Sequence, residues 1–246
     1  MKTIDNKSWL EPEWPAPENV IAATTLRAGG FSNGRYSSLN PALHVGDVRE
    51  DVYRNRAVIQ EMLNLPAEPV WLNQVHSNRV VDAAGIISLT SADASYSHQA
   101  GVVCAVLTAD CLPVLMCSRD GRSVAAVHAG WRGLLAGVIG NTVRALNNTE
   151  LLAWLGPAIG PEVFEVGGEV RQAFVEQNVD YHAAFRRKDN GKWLADIYRL
   201  ARINLAEAGI DRVYGGHYCT VAEPDKFFSY RRDKETGRMA SLIWRT

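Results

Sequence analysis

Residues 108–133 read TADCLPVLMCSRDGRSVAAVHAGWRG. Two apolar runs, LPVLMCS and SVAAVHA, flank Asp120-Gly121, a dipeptide suited to the tight turn of an antiparallel hairpin. A two-residue turn there sets Arg119 against Arg122 and, counting back along both strands, His128 against Pro113. Side chains alternate with period two, so Cys111 leaves the same face as position 113. Cys111 and His128 then become diagonal neighbours, with Cβ atoms about 7 Å apart. A metal ion fits between such groups, because zinc binds sulfur at about 2.3 Å and nitrogen at about 2.0 Å. Pro113 and Pro157 mark places where the ladder loses an N–H donor.

Outward from the hairpin, GVVCAVLTADC (101–111) has the composition of a strand buried on both faces. Beyond it, LLAGVIGNTVRALNN (134–148) repeats Leu134, Leu135, Val138, Ile139, Val143 and Leu146 at helical spacing. Further helices are predicted over 51–65, 168–178 and 195–209, and LLAWLGPAIG (151–160) reads as a strand entering a Pro/Gly loop. PVWLNQVHSNRVVDA (69–83) alternates as a strand, with Leu72, Gln74 and His76 on one face. Residues 21–47 run from a short strand into a long loop rich in Gly, Ser and Asn, and FFSYRRDKETGRMASLIW (227–244) has the pattern of a closing hairpin. No internal repeat or low-complexity linker divides the chain. The expectation is an α/β or α+β fold in a single domain over 1–246, with the order of strands undecided and a Pro-rich lead-in over 1–20.

Composition narrows the class of function. The 246 residues are 47% hydrophobic, enough for a full core, and the net charge of −1 provides no basic field for nucleic acid. The N-terminus lacks a charged-then-apolar signal pattern, and no run reaches the roughly 18 apolar residues of a membrane helix. The chain therefore reads as cytoplasmic, with no membrane and no nucleic-acid partner. Its four cysteines, Cys104, Cys111, Cys117 and Cys219, form no CxxC pair and read as thiols or, in one case, a ligand.

His76, in the polar context NQVHSN, is the natural third partner for Cys111 and His128. Two imidazoles and one thiolate leave a tetrahedral ion an open position, the arrangement of a catalytic zinc that activates water. Cys219 or His217, in GGHYCT, would close the site and make it structural. Asp110 is a candidate proton carrier, unless strand alternation turns it away. Gly130, Arg132 and Gly133 stand at a helix start, where free N–H groups favour an anion. Arg27, Arg132 and Arg231, converging with Arg232, would make a phosphate-binding set. Trp131 is a candidate for stacking on a planar ring, Phe227 and Phe228 read as core, and His44 as a residue that lines the same pocket. Each of these residues also has a plain reading, as a buried thiol, a hydrogen-bonded histidine or a surface arginine.

The motifs TADCLPVL, HAGWRG, NQVH, GPAIGPEVFEVG and FFSYRRDKETGRMAS together resemble the YfiH-like family of bacterial proteins. That family is described as purine nucleoside phosphorylases, laccase-domain polyphenol oxidases and peptidoglycan editing factors. The resemblance runs from about Arg27 to the C-terminus. It implies a mixed α/β sandwich, also compared with cysteine-hydrolase toxins, and a metal triad of His76, Cys111 and His128. It also implies phosphorolysis of adenosine, inosine, guanosine and methylthioadenosine to base and ribose 1-phosphate, with phosphate as co-substrate, and deamination of adenosine. A metal site serves deamination directly, whereas phosphorolysis needs a bound phosphate beside the ribose. The expected cofactor is Zn2+, with Cu2+ as the alternative. Copper oxidation fits less well, since coupled copper clusters draw on many histidines and the chain has six. A further alternative makes Cys111 a nucleophile and His128 its base, in hydrolytic editing of a cell-wall precursor. A non-catalytic role, as a binder or regulator with a structural metal, is the reading from another class.

Overall fold

Leu112 pairs with Ala129, Pro113 with His128 and Cys117 with Val124, the register that the Asp120-Gly121 turn predicts. The turn itself is wider than two residues. The last ladder bond runs from the Ser118 N–H to the Ser123 carbonyl, the Gly121 N–H donates to the Ser118 carbonyl, and the Arg119 N–H goes to the Glu150 carbonyl. Arg119 and Arg122 therefore do not pair. Ser118 Oγ closes the turn by accepting from the N–H groups of Arg122 and Ser123, both at 3.0 Å.

The computed structural model describes residues 8–148 and 150–246. Of the Pro-rich lead-in, residues 1–7 lie outside the described residues. In chain order the strands are β1 (Trp9–Leu10), β2 (Val20–Thr25), β3 (Leu72–Asn73), β4 (Val80–Asp82), β5 (Thr90–Ser91), β6 (Ala94–Ser97), β7 (Cys104–Thr108) and β8 (Leu112–Ser118). They continue as β9 (Val124–Ala129), β10 (Leu151–Leu155), β11 (Glu165–Val166), β12 (Phe185–Arg187), β13 (Trp193–Ala195), β14 (Val213–Gly215) and β15 (Met239–Arg245). The helices are α1 (Arg49–Met62), α2 (Trp131–Leu135), α3 (Val138–Leu146), α4 (Gly168–Gln177), α5 (Ile197–Glu207) and α6 (Tyr230–Asp233).

Two main sheets result, one ordered β1-β2-β15-β7 and the other β14-β10-β8-β9-β6-β4. Alternation along the strands explains how they stack. Val106 and Cys104 of the first sheet meet Leu115, Cys117, Val124 and Ala126 of the second in one apolar layer. The opposite parity of β8 and β9, Val114, Met116, Ala125 and Val127, packs against α3 and α5 through Ile139, Leu200 and Leu205. The other face of the first sheet, Ala105, Leu107, Leu242 and Trp244, meets Ile59 of α1. The order helix, sheet, sheet, helix is the expected mixed α/β sandwich. Strands buried on both faces explain why the apolar runs are continuous rather than alternating.

Several elements depart from the sequence reading for local reasons. The helix expected over 134–148 breaks into α2 and α3 at Gly137, whose φ of +83° only glycine adopts freely. The strand expected over 69–83 is cut at His76, which has φ +60° and sits on an exposed loop. The closing hairpin does not form. Residues 230–233 make the short helix α6, and β15 pairs with β2 and β7 instead. The expected strand over 101–111 ends at Thr108, because residues 109–111 turn the chain from the first sheet into the second. The Gly/Ser/Asn loop is held from inside by buried Asn55, which donates to Ser32 Oγ and the Asn40 carbonyl and accepts from the Phe31 N–H. Gly30 is required there, since a Cβ would lie 2.4 Å from Asn55 Oδ1.

Candidate metal centre

The corner at 109–111 brings Cys111 to the seam between the sheets, just before β8, and His128 lies on β9 beside it. His76 approaches from the loop between β3 and β4. The ligand atoms of His76, Cys111 and His128 all lie within 4.8 Å of one another, and Cys111 Sγ stands 3.8 Å from His76 Nε2. Zinc–sulfur and zinc–nitrogen bonds of about 2.3 and 2.0 Å at a tetrahedral angle span about 3.6 Å, so the donor set fits a divalent ion. Gly130 supplies the space. A Cβ on it would lie 3.0 Å from Cys111 Sγ and 3.1 Å from His76 Cδ2.

Asp93, which the sequence analysis did not single out, organises both histidines. It is fully buried, immediately before β6, and its carboxylate accepts from His128 Nδ1 at 2.8 Å. The same carboxylate accepts from the His76 N–H at 2.9 Å, the Ser77 N–H at 2.6 Å and Ser77 Oγ at 2.7 Å. Its main-chain carbonyl takes the His128 N–H at 2.7 Å. A proton held on Nδ1 leaves Nε2 of His128 free as a donor to a metal, the outer-shell arrangement typical of metal-binding histidines. The available signal was a carboxylate inside the small, otherwise uncharged run TSADASYS. Burial penalises the Asp93 carboxylate, but the hydrogen bonds from His128 and Ser77 outweigh it and hold the group at about 2. Burial likewise pushes the Cys111 thiol up, and the charge and hydrogen bonds of His128 and His76 overcome it, lowering the thiol to about 6. His128 moves the opposite way. Burial opposes its charge, and the Cys111 and Asp93 anions raise it.

A cleft of about 450 Å³ opens over this cluster, lined also by His44, Trp131, Arg132, Arg231, Lys234 and Arg238. Ile159, Phe164 and Ile197 form its apolar wall. Asp110 lines it at φ +89°, with its carboxylate oxygens accepting from Thr220 Oγ1 at 2.6 Å and the Arg231 N–H at 2.5 Å. Arg132 reaches the cleft and lies over Trp131, 4.3 Å from the ring centroid. Phe227 and Phe228 are fully buried core residues.

The expected phosphate-binding arginine set is corrected, and the alternative of a closed site is not met. Arg27 does not join the cleft, because its guanidinium donates to the Ser37 and Pro224 carbonyls and lies over Phe228. His217 and Cys219 do not close the site. They line a separate cavity with Arg199 and Arg202, and Cys219 Sγ accepts from the Gly160 N–H. Arg232 also lies outside the cleft lining, since it donates to the carbonyls of Thr220, Val221 and Phe227.

The sequence and fold have close counterparts. The purine nucleoside phosphorylase YfiH of Escherichia coli (strain K12) is 53% identical over 238 residues, covering 96% of this chain and 98% of that one. The crystal structure of Neisseria meningitidis protein NMB0706 superposes with a TM-score of 0.94 at 52% identity, covering 97% of this chain and 99% of that one. The crystal structure of YlmD from Geobacillus stearothermophilus gives 0.88 at 30% identity, over 98% and 97% of the two chains. Residues 21–246 match the sequence pattern of the family described as multi-copper polyphenol oxidoreductase laccase, and the chain belongs to that family.

Proposed function

We propose that this chain is a metal-dependent purine nucleoside phosphorylase, a single cytoplasmic domain with adenosine deamination as a second activity of the same cleft. The observation that carries the reading is the convergence of three metal-donor side chains on the wall of a cleft that also holds cationic and aromatic side chains. Its volume of about 450 Å³ suits a small molecule, and the relative named a purine nucleoside phosphorylase shares 53% identity over nearly its full length.

His76, Cys111 and His128 would hold the ion. Zinc is the choice over copper because neither phosphorolysis nor hydrolytic deamination transfers electrons to the protein. When bound, the ion supplies Lewis-acid polarisation at the cleft wall. Asp93 sets the tautomer and direction of His128, and Gly130 keeps the space between the donors clear. Ile159, Phe164 and Ile197 offer an apolar face that excludes water from the glycosidic bond, and Trp131 a face for a planar base. In phosphorolysis a phosphate oxygen bonds to C1′ of the ribose as the C1′–N9 bond breaks and the base leaves with a proton. The cationic side chains of the cleft hold the phosphate charge as positive charge develops on the sugar. Asp110 acts here as a positioning residue, anchoring the start of α6.

Metal-analysed protein incubated with adenosine, with and without phosphate, beside a Cys111→Ala variant, tests the reading. Phosphate-dependent adenine and ribose 1-phosphate, lost with the metal in the variant, are the expected products, and inosine formed without phosphate reports deamination. Unchanged adenosine at full metal occupancy overturns it. A second reading draws on the Cys111–His128–Asp93 alignment, which has the order of a nucleophile, a base and an orienting carboxylate and would suit amide hydrolysis in a cell-wall precursor. Chelation separates the two. It abolishes phosphorolysis and spares a thiol hydrolase.

A further inference from the structure

The cleft holds Arg132, Arg231, Lys234 and Arg238 against a single carboxylate, Asp110, which is already engaged by Thr220 and the Arg231 N–H. These four cations are not equivalent. The Arg231 guanidinium donates to the carbonyls of Val163 and Glu165, at 3.2 to 3.4 Å, and braces the wall. The Arg132 guanidinium carbon lies over Trp131, 4.3 Å from the ring centroid. None of the four has a carboxylate within ion-pair distance of its side chain among the described residues, and Lys234 and Arg238 are the two that neither brace the cleft wall nor stack on a ring.

Arg238 turns Nη1 to the carbonyls of Thr236 and Gly237, at 2.8 and 3.0 Å, which leaves Nε and Nη2 available. Its own N–H is held by Asn40 Oδ1 at 3.0 Å, so the side chain springs from a fixed point of the buried polar network. Lys234 is exposed and carries an unusual backbone, φ +65° and ψ −64°, closed into a γ-turn by the Glu235 N–H donating to the Asp233 carbonyl at 2.8 Å. Glycine suits such a turn, whereas a side chain strains it. A strained lysine at a cleft, with no anionic partner of its own, is placed for something that enters the cleft. His44 shares the cleft and adds a donor or acceptor. Burial, and then the positive charges of Arg238 and Arg56, lower its pKa.

We infer that Lys234 and Arg238 form the oxyanion subsite of the cleft and take a phosphate group, while Arg27, Arg231 and Arg232 are framework residues. A guanidinium with two free donors and a mobile ammonium match the charge and geometry of a phosphate. That the occupant is inorganic phosphate as co-substrate rests on the phosphorolysis reading. The same chemistry would accept the 5′-phosphate of a nucleotide.

Calorimetric titration of the zinc-loaded, full-length protein with inorganic phosphate, and separately with inosine 5′-monophosphate, tests the subsite. The variants are Lys234→Gly, Arg238→Met and Arg238→Lys, with Lys226→Met, outside the cleft, as control. Lys234→Gly and Arg238→Met are expected to weaken phosphate binding at least tenfold, Arg238→Lys less, and the control not at all. In turnover the first two raise the KM for phosphate at least tenfold and leave the KM for nucleoside within twofold. Lys234→Gly also relieves the γ-turn, so its thermal midpoint holds or rises while affinity falls, a divergence that a purely structural lysine would not produce. Phosphate binding unchanged in both variants overturns the inference. Binding of the monophosphate that depends on these residues, without binding of inorganic phosphate, overturns the co-substrate assignment. Phosphate bound through both residues by a protein that cleaves no nucleoside refutes the phosphorolysis reading and supports the subsite.

Discussion

Replacing Asp93 with Asn removes a charge and keeps the shape, at a residue whose carboxylate takes four close hydrogen bonds from His128, His76 and Ser77. The size of the effect follows from the acid's own titration. A carboxylate lowered from 3.8 to about 2 gains about 2 kcal/mol for its charged form at about 1.4 kcal/mol per tenfold. An Asn amide loses that gain and points an N–H at one of the existing donors. At pH 7 the metal-stripped Asp93→Asn protein is therefore expected to melt about 4–8 °C below the parent. The sign with pH is definite. The group is depressed, so its contribution is complete above the unfolded pKa near 4 and fades as pH falls toward 2, where variant and parent converge. Zinc affinity, measured against a competing chelator at pH 7, is expected to fall about 10–100-fold, the usual effect of losing an outer-shell carboxylate. A variant that melts within a degree of the parent and binds zinc as tightly would refute the organising role of Asp93.

Gly130→Ala has an ordinary backbone to occupy, φ −66° and ψ 163°, so its effect should fall on the metal rather than the fold. With the new Cβ about 3 Å from Cys111 Sγ and His76 Cδ2, zinc affinity is expected to drop about tenfold or more while the melting temperature of the stripped protein stays within about 2 °C. Iodoacetamide should modify Cys111 of the metal-stripped protein at neutral pH and slow only as the pH falls through about 6, with zinc protecting it. Cys104 and Cys117, pushed up to about 12 by burial, should react only after unfolding, as peptide mapping would show. Arg27→Met, losing two bonds to carbonyls and the contact with Phe228, should cost about 1 kcal/mol, or about 2–4 °C, without changing the KM for phosphate. A higher KM would return Arg27 to the cleft.

The hairpin was legible because its information is local. Asp120-Gly121 sets the turn and two apolar runs set the register, so the neighbourhood of Cys111 and His128 followed from alternation alone. His76 was legible as a histidine in a polar stretch of a strand-like segment, although not its positive φ, at which Asp93 holds its own N–H and that of Ser77. Asp93 was harder to read because its partners lie 16 to 35 residues away, and its setting in a small, uncharged run is the single local sign that the carboxylate is buried. The arginines misled for a related reason. A sequence shows where a guanidinium starts but not which carbonyls it meets, so Arg27 read as a phosphate ligand and Lys234 and Arg238 went unremarked. The closing hairpin failed because a long-range partner won. Met239–Ile243 pairs with β7, more than a hundred residues upstream, rather than folding back on its neighbour.

That pairing bears on when the protein can first hold a metal. All three donors have been synthesised by residue 128, yet the corner that delivers Cys111 hangs from β7, and β7 is bonded within its sheet to β15, the last strand of the chain. β2 waits for the same partner. A nascent or C-terminally clipped chain therefore owns the ligands without the scaffold that gathers them, and loop closure over that distance makes the step late in folding. Metal capture by these three donors is thus expected only once Met239–Arg245 has joined the sheet.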